Sequence, residues 1–151
     1  MIHQAALTLH IIGIVLFAGT AFIDFIISKQ FWNVYSTNKS DSLPVEIIIT
    51  KIQKIGGLGG MLIVLSGIIM IYMHRFWGEQ IWFRMKMGIL LIVIINGSVF
   101  RRKLGKSLNL LASGNTTHIN ASKLETKLNR VQLIQIILLT TMFILSVFKF
   151  N

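Results

Sequence analysis

The sequence predicts an all-α integral membrane protein, a four-helix bundle with both termini outside the cell. Three observations carry this. Of the 151 residues, 54% are hydrophobic and only 13% charged, with a mean hydropathy of +0.72; a soluble domain carries about 25% charge. The apolar residues gather into four runs of about 18 residues or more, the length a helix needs to cross bilayer hydrocarbon. Basic residues outnumber acidic ones 15 to 5, and they concentrate in two of the intervals between runs, as cytoplasmic loops do. The hydropathy excludes a disordered chain. The absence of cysteine excludes disulfides, thiolate metal sites and covalent c-type haem. The net charge of +10 is accounted for by the loops and calls for no nucleic-acid partner.

A single membrane domain, 1–151, is expected, with spans at about 5–27, 55–73, 81–100 and 131–148 and cytoplasmic loops at 28–54 and 101–130. The first run lacks a basic leader and a cleavage site, so it reads as a retained span rather than a signal peptide. Its loop carries Lys29, Lys39, Lys51 and Lys54; the loop before the fourth span carries Arg101, Arg102, Lys103, Lys106, Lys123, Lys127 and Arg130. Pro44 suits a first helical turn, and Val45, Ile48, Ile49, Ile52 and Ile55 follow helical spacing. The second helix is therefore expected to begin well before its span. Ser122 and Glu125 form a capping-box pattern, which starts the fourth helix near Lys123. Ser113 to Thr117 reads as loop by composition.

Ionisable groups inside lipid are costly and point to function. His10 lies five residues into the first span and Lys86 five into the third. Both spans run in the same direction, so both residues sit roughly 7–8 Å below the outer boundary. His74 ends the second span at that level, and His3 precedes the first. A neutral imidazole is a common metal ligand, for haem iron among others, and helix bundles hold cofactors between facing helices. His10 is the first candidate for iron and His74 the second. Gly13 and its neighbours Ala18 and Gly19 offer a flat surface to a porphyrin, as do the glycines of the second span, and Arg75 and Arg84 offer cations for its propionates. Helix–helix packing is the alternative for His10 and by itself explains the Gly56-x-x-x-Gly60 spacing, and Lys86 could snorkel to the headgroups. Asp24 lies near the inner end of the first span, where it could relay protons or pair with Lys29 or Arg101. Met70, Met73 and His74 share one helix face, with Met85 and Met87 nearby, which suits Cu(I) as well as ordinary packing.

Taken together these residues resemble the HemJ family of small bacterial membrane proteins. The resemblance rests on Leu9-His10-Ile11-Ile12-Gly13 and Phe17-Ala18-Gly19 in the first span, Lys86-Met87-Gly88 in the third and Arg101-Arg102 after it. Asn129 at the fourth span and Val147-Phe148-Lys149 at the end extend it. It implies a b-type haem protein of the bacterial inner membrane that oxidises protoporphyrinogen IX to protoporphyrin IX. His10 and Lys86 would be the essential pair, and quinone or a respiratory chain would accept the electrons. The alternatives are a non-enzymatic haem protein for electron transfer, sensing or carriage, a copper-handling protein and a structural subunit. Glycine-lined faces in a small bundle also permit a homodimer in the lipid bilayer.

Overall fold

The computed structural model describes residues 1–73, 80–114 and 120–147. All regular structure among them is helical. Helix α1 spans Ile2–Thr37, a short 3-10 turn covers Lys39–Asp41, and α2 spans Ser42–Met73. Helix α3 spans Ile81–Ile95 and runs without a break through a π-helical segment, Asn96–Arg101, into α4, Arg102–Ala112; α5 spans Ala121–Val147. Four stretches are long and apolar enough to cross a membrane: Ile2–Thr37, Ser42–Met73, Phe83–Ala112 and Ala121–Val147. Their outer faces carry large exposed apolar side chains, among them Val15, Phe22, Leu58, Ile68, Leu91 and Ile137. That is an inside-out distribution for water and the expected one for lipid. The chain is a multi-pass membrane protein.

The interval 28–54, expected as a loop, is almost wholly helical. At 36 residues, α1 is about 54 Å long, and about 30 Å suffices for the hydrocarbon. The surplus falls where Lys29, Lys39, Glu46, Lys51 and Lys54 lie, at the loop end of the bundle. α1 stops at Asn38, whose backbone is extended and whose N–H returns to the Val34 carbonyl. The early start of α2 agrees with expectation, with Pro44 in its first turn. The second expected loop is likewise shortened by α4. That helix ends at Gly114, whose φ of +72° suits a residue without a side chain. The start of α5 differs from expectation. Asn120 caps the helix, its Oδ1 accepting from Lys123 N–H at 3.2 Å, and Ser122 and Glu125 both lie inside the helix. Asn competes well for the cap position, and it stands one residue before Ala121, where the helix begins.

At the loop end the helices enclose a hydrophobic core of Phe31, Trp32, Ile49, Leu108, Leu111, Leu124 and Leu128. Phe31 and Trp32 meet edge to face at 5.1 Å, and Tyr35 stacks on Phe31 at 5.9 Å. Below this cap α1 and α2 pack antiparallel along their length, α5 packs on α1, and α3 packs on α5. Among the described residues α2 and α3 barely meet, so the bundle has one unsealed side.

Candidate functional site

Two constellations lie inside the bundle. The first is nearer the chain termini. His10 of α1 and Lys86 of α3 line one cavity, closed by Ile63 of α2 and by Leu139, Met142 and Ser146 of α5. The matched depth expected from the sequence is thus joined by a matched facing. His10 Nδ1 lies 3.2 Å from the Ile63 carbonyl and 3.0 Å from Ser66 Oγ. The Ser66 hydroxyl donates to the Leu62 carbonyl at 2.5 Å, so its oxygen can only accept from the histidine. Both partners of Nδ1 are then acceptors, and the ring proton resides there. Nε2 keeps its lone pair. Metal-ligating histidines have this form, one nitrogen bonded to a carbonyl and the other left for the metal. Lys86 Nζ donates to Ser146 Oγ at 2.8 Å, and the Ser146 hydroxyl donates in turn to the Met142 carbonyl at 2.7 Å.

An imidazole and an amine, the types of nitrogen donor an iron porphyrin can use, thus line one cavity. The cavity is about 50 Å³, well under the roughly 300–1,000 Å³ of cofactor pockets. A ring at this level requires the apolar side chains of Leu90, Leu139 and Phe143 to part.

The remaining expected residues are placed differently. Gly13 is spent on helix contact: a Cβ there would stand 3.0 Å from the Gly59 carbonyl and from Ile63. Arg84 is exposed and does not line the cavity. Two residues from Lys86, it lies about 200° around the helix. His74 and Arg75 lie outside the described residues. Met70 is half-buried, while Met73, Met85 and Met87 are exposed. Among the described residues no three His, Cys, Asp or Glu side chains gather as a metal site.

The second constellation is at the junction of bundle and cap. Asp24 accepts from Arg101 Nε at 2.8 Å and from Nη2 at 2.7 Å, a bidentate and buried ion pair. Gln132 Nε2 donates to Asp24 Oδ2 at 2.9 Å and to Ser28 Oγ at 2.8 Å. Gln53 Nε2 reaches Asp24 Oδ1 at 3.3 Å. Of the two partners open to Asp24 in sequence, Arg101 is the one taken; Lys29 instead lies over the Phe25 ring, 4.6 Å from its centre. The cluster ties α1, α2, α5 and the π segment together. Arg101 Nη1 and Gln132 Oε1 are buried without a hydrogen-bond partner among the described residues.

The π segment makes this possible. Asn96 is buried on the inner face of the third membrane helix. In a continuous α-helix Arg101, five residues on, would sit about 140° away. A π turn closes between residues five apart, so the guanidinium comes round to the carboxylate.

Beside this cluster lies a larger cavity of about 440 Å³, within the range of small-molecule sites. It includes Asn96, Gly97, Gln132 and Gln135, none of which the sequence argument singled out for binding. A signal was available. Asn96, Gln132 and Gln135 are amides in or beside apolar runs, and polar groups there need partners across the bundle. Phe17 and Val93 line both cavities and separate them.

No family model, no curated protein sequence and no solved structure matches the chain.

Proposed function

We propose that this protein is a b-type haem-binding membrane oxidoreductase resembling HemJ. In this role it oxidises protoporphyrinogen IX to protoporphyrin IX and passes electrons to membrane quinone or a respiratory chain. One observation carries the proposal: His10 and Lys86 line one cavity, with the imidazole proton held on Nδ1 by Ile63 and Ser66. His10 Nε2 would then be the nitrogen that holds the iron. Lys86, tethered to Ser146, keeps further N–H donors for a carboxylate of a tetrapyrrole. Haem b, when bound, supplies one-electron chemistry. Apart from His10, Lys86 and Ser146 the lining is apolar, which suits a lipophilic porphyrinogen arriving from the bilayer once Leu90, Leu139 and Phe143 have parted. In this reading the loop end, with its eleven basic residues, is the cytoplasmic end and both termini lie outside a bacterial inner membrane.

The test is the absorbance spectrum of the purified full chain with a pyridine haemochrome assay. A Soret band that shifts on dithionite reduction is expected, lost in His10→Ala and kept in His3→Ala. A chain expressed with ample haem that shows no such band overturns the proposal. Rescue of a bacterial strain lacking protoporphyrinogen oxidase is expected from the wild type and not from Lys86→Ala. A haem-loaded protein that fails this rescue is a non-enzymatic haem protein.

A further inference from the structure

We infer that the 440 Å³ cavity is a binding site for a neutral lipid-soluble molecule with carbonyl oxygens, the chemistry of a quinone head group. The site stands on geometry separate from His10. Fourteen residues of α1 divide His10 from Asp24, a rise of about 21 Å, and Phe17 and Val93 wall the two cavities apart.

Three features define the ligand. The first is access. Gly57, Met61 and Leu65 of α2 and Ile94 of α3 line the cavity and are also exposed on the outer surface. They flank the unsealed side of the bundle, where α2 and α3 barely meet, so the opening faces lipid. A ligand entering there comes from the bilayer.

The second is charge. The Asp24 carboxylate is neutralised by Arg101. The polar groups deeper in the wall, Thr20, Gln53, Asn96, Gln132 and Gln135, are uncharged. Arg102, the remaining charge of the lining, is exposed, so a charge lodged among the deeper amides would have no counter-ion beside it and a neutral head group is favoured there.

The third is an open donor. Asn96 Nδ2 donates to Gln135 Oε1 at 2.8 Å and to the Val131 carbonyl at 3.1 Å. This fixes the Gln135 amide with its oxygen toward Asn96. Gln135 Nε2 lies on the open side of Gly97, 3.9 Å from where a Cβ would stand, and it makes no hydrogen bond to the described residues. An amide N–H at lipid depth calls for an acceptor. A carbonyl oxygen on an apolar ring supplies it, while the ring lies between the glycines of α2 and Gly97.

The experiment is calorimetric titration of the full chain in lipid nanodiscs with decylubiquinone, and separately with palmitate. Saturable decylubiquinone binding is expected, about tenfold weaker in Gln135→Leu through loss of the hydrogen bond. Gly57→Leu, at a position with nothing within 4 Å of an added Cβ, is expected to narrow the opening and weaken binding without disturbing the fold, as its unchanged melting temperature would show. His10→Ala is expected to bind as the wild type does, so haem loss and failure of this site are read separately. Equal affinity in wild type, Gln135→Leu and Gly57→Leu overturns the inference. So does palmitate binding with the same dependence on those residues, which would make the cavity an acyl-chain pocket.

Discussion

The two ends of the molecule are held together by different means. At the loop end the core is Phe31, Ile49, Leu108, Leu124 and Leu128, all 6% exposed or less, as in a water-soluble helical domain. At lipid depth the buried residues of α1 and α2 are largely small or polar: Ala6, Gly13, Asp24, Gly56, Gly59 and Ser66. The difference is one of solvent. Water drives apolar side chains together. Lipid does not, so helices there join through close backbone approach and hydrogen bonds. One helix shows both regimes: α1 presents His10, Gly13, Phe17, Thr20 and Asp24 inward at three- and four-residue spacing, then Ser28, Phe31 and Tyr35 on the same seam.

The sharpest way to break this comparison is at the junction. Removing the carboxylate in Asp24→Ala leaves the Arg101 guanidinium buried and unpaired, which costs about 3–5 kcal/mol. Loss of folded protein in detergent extracts is expected, or a large fall in melting temperature. The double variant Asp24→Leu/Arg101→Leu is expected to recover most of it, because no charge is left stranded. If the double variant is no better than the single, the pair is not what binds this junction.

A smaller and more selective effect is expected from truncating apolar side chains. Leu108→Ala, in the cap, should cost about 2–5 kcal/mol, measured by denaturant titration in detergent. Leu145→Ala, at lipid depth, should cost clearly less, since lipid replaces part of the lost contact. Equal losses would mean that the two ends share one driving force.

The smallest effect separates glycines that serve contact from those that border open space. Gly13→Ala forces a methyl to within 3.0 Å of the Gly59 carbonyl, and overpacking of this kind costs about 1–3 kcal/mol. Gly57→Ala meets nothing within 4 Å and should be neutral or favourable by up to about 1 kcal/mol, since alanine is the better helix former. Thermal melts of the two variants should therefore move apart.

Much of this architecture can be read along the chain. The four spans follow from length and hydropathy, the early start of α2 from Pro44 and the apolar spacing after it, and the shared depth of His10 and Lys86 from counting residues. The candidate site was legible only in part. Arg84 and Lys86 are near neighbours in sequence, yet two steps of a helix send them to opposite sides. Gly13 suggested a flat surface for a ligand, but α2 lies on that surface. Hydropathy ranks Asn96, Gln132 and Gln135 as interruptions of a span, so the large cavity they border left only a faint trace.

Composition and spacing, acting through the bilayer's demand for long apolar helices, determined that the described residues form four helices able to cross a membrane and that two ionisable groups lie at one level near the terminal end. Which nitrogen of His10 keeps its lone pair was decided by Ile63 and Ser66 on another helix. That Arg101 meets Asp24 was decided by one wide turn, a π segment that rotates the inner face of the third membrane helix. Both depend on what lies across the bundle, and periodicity within a single helix carries no information about its neighbour's register.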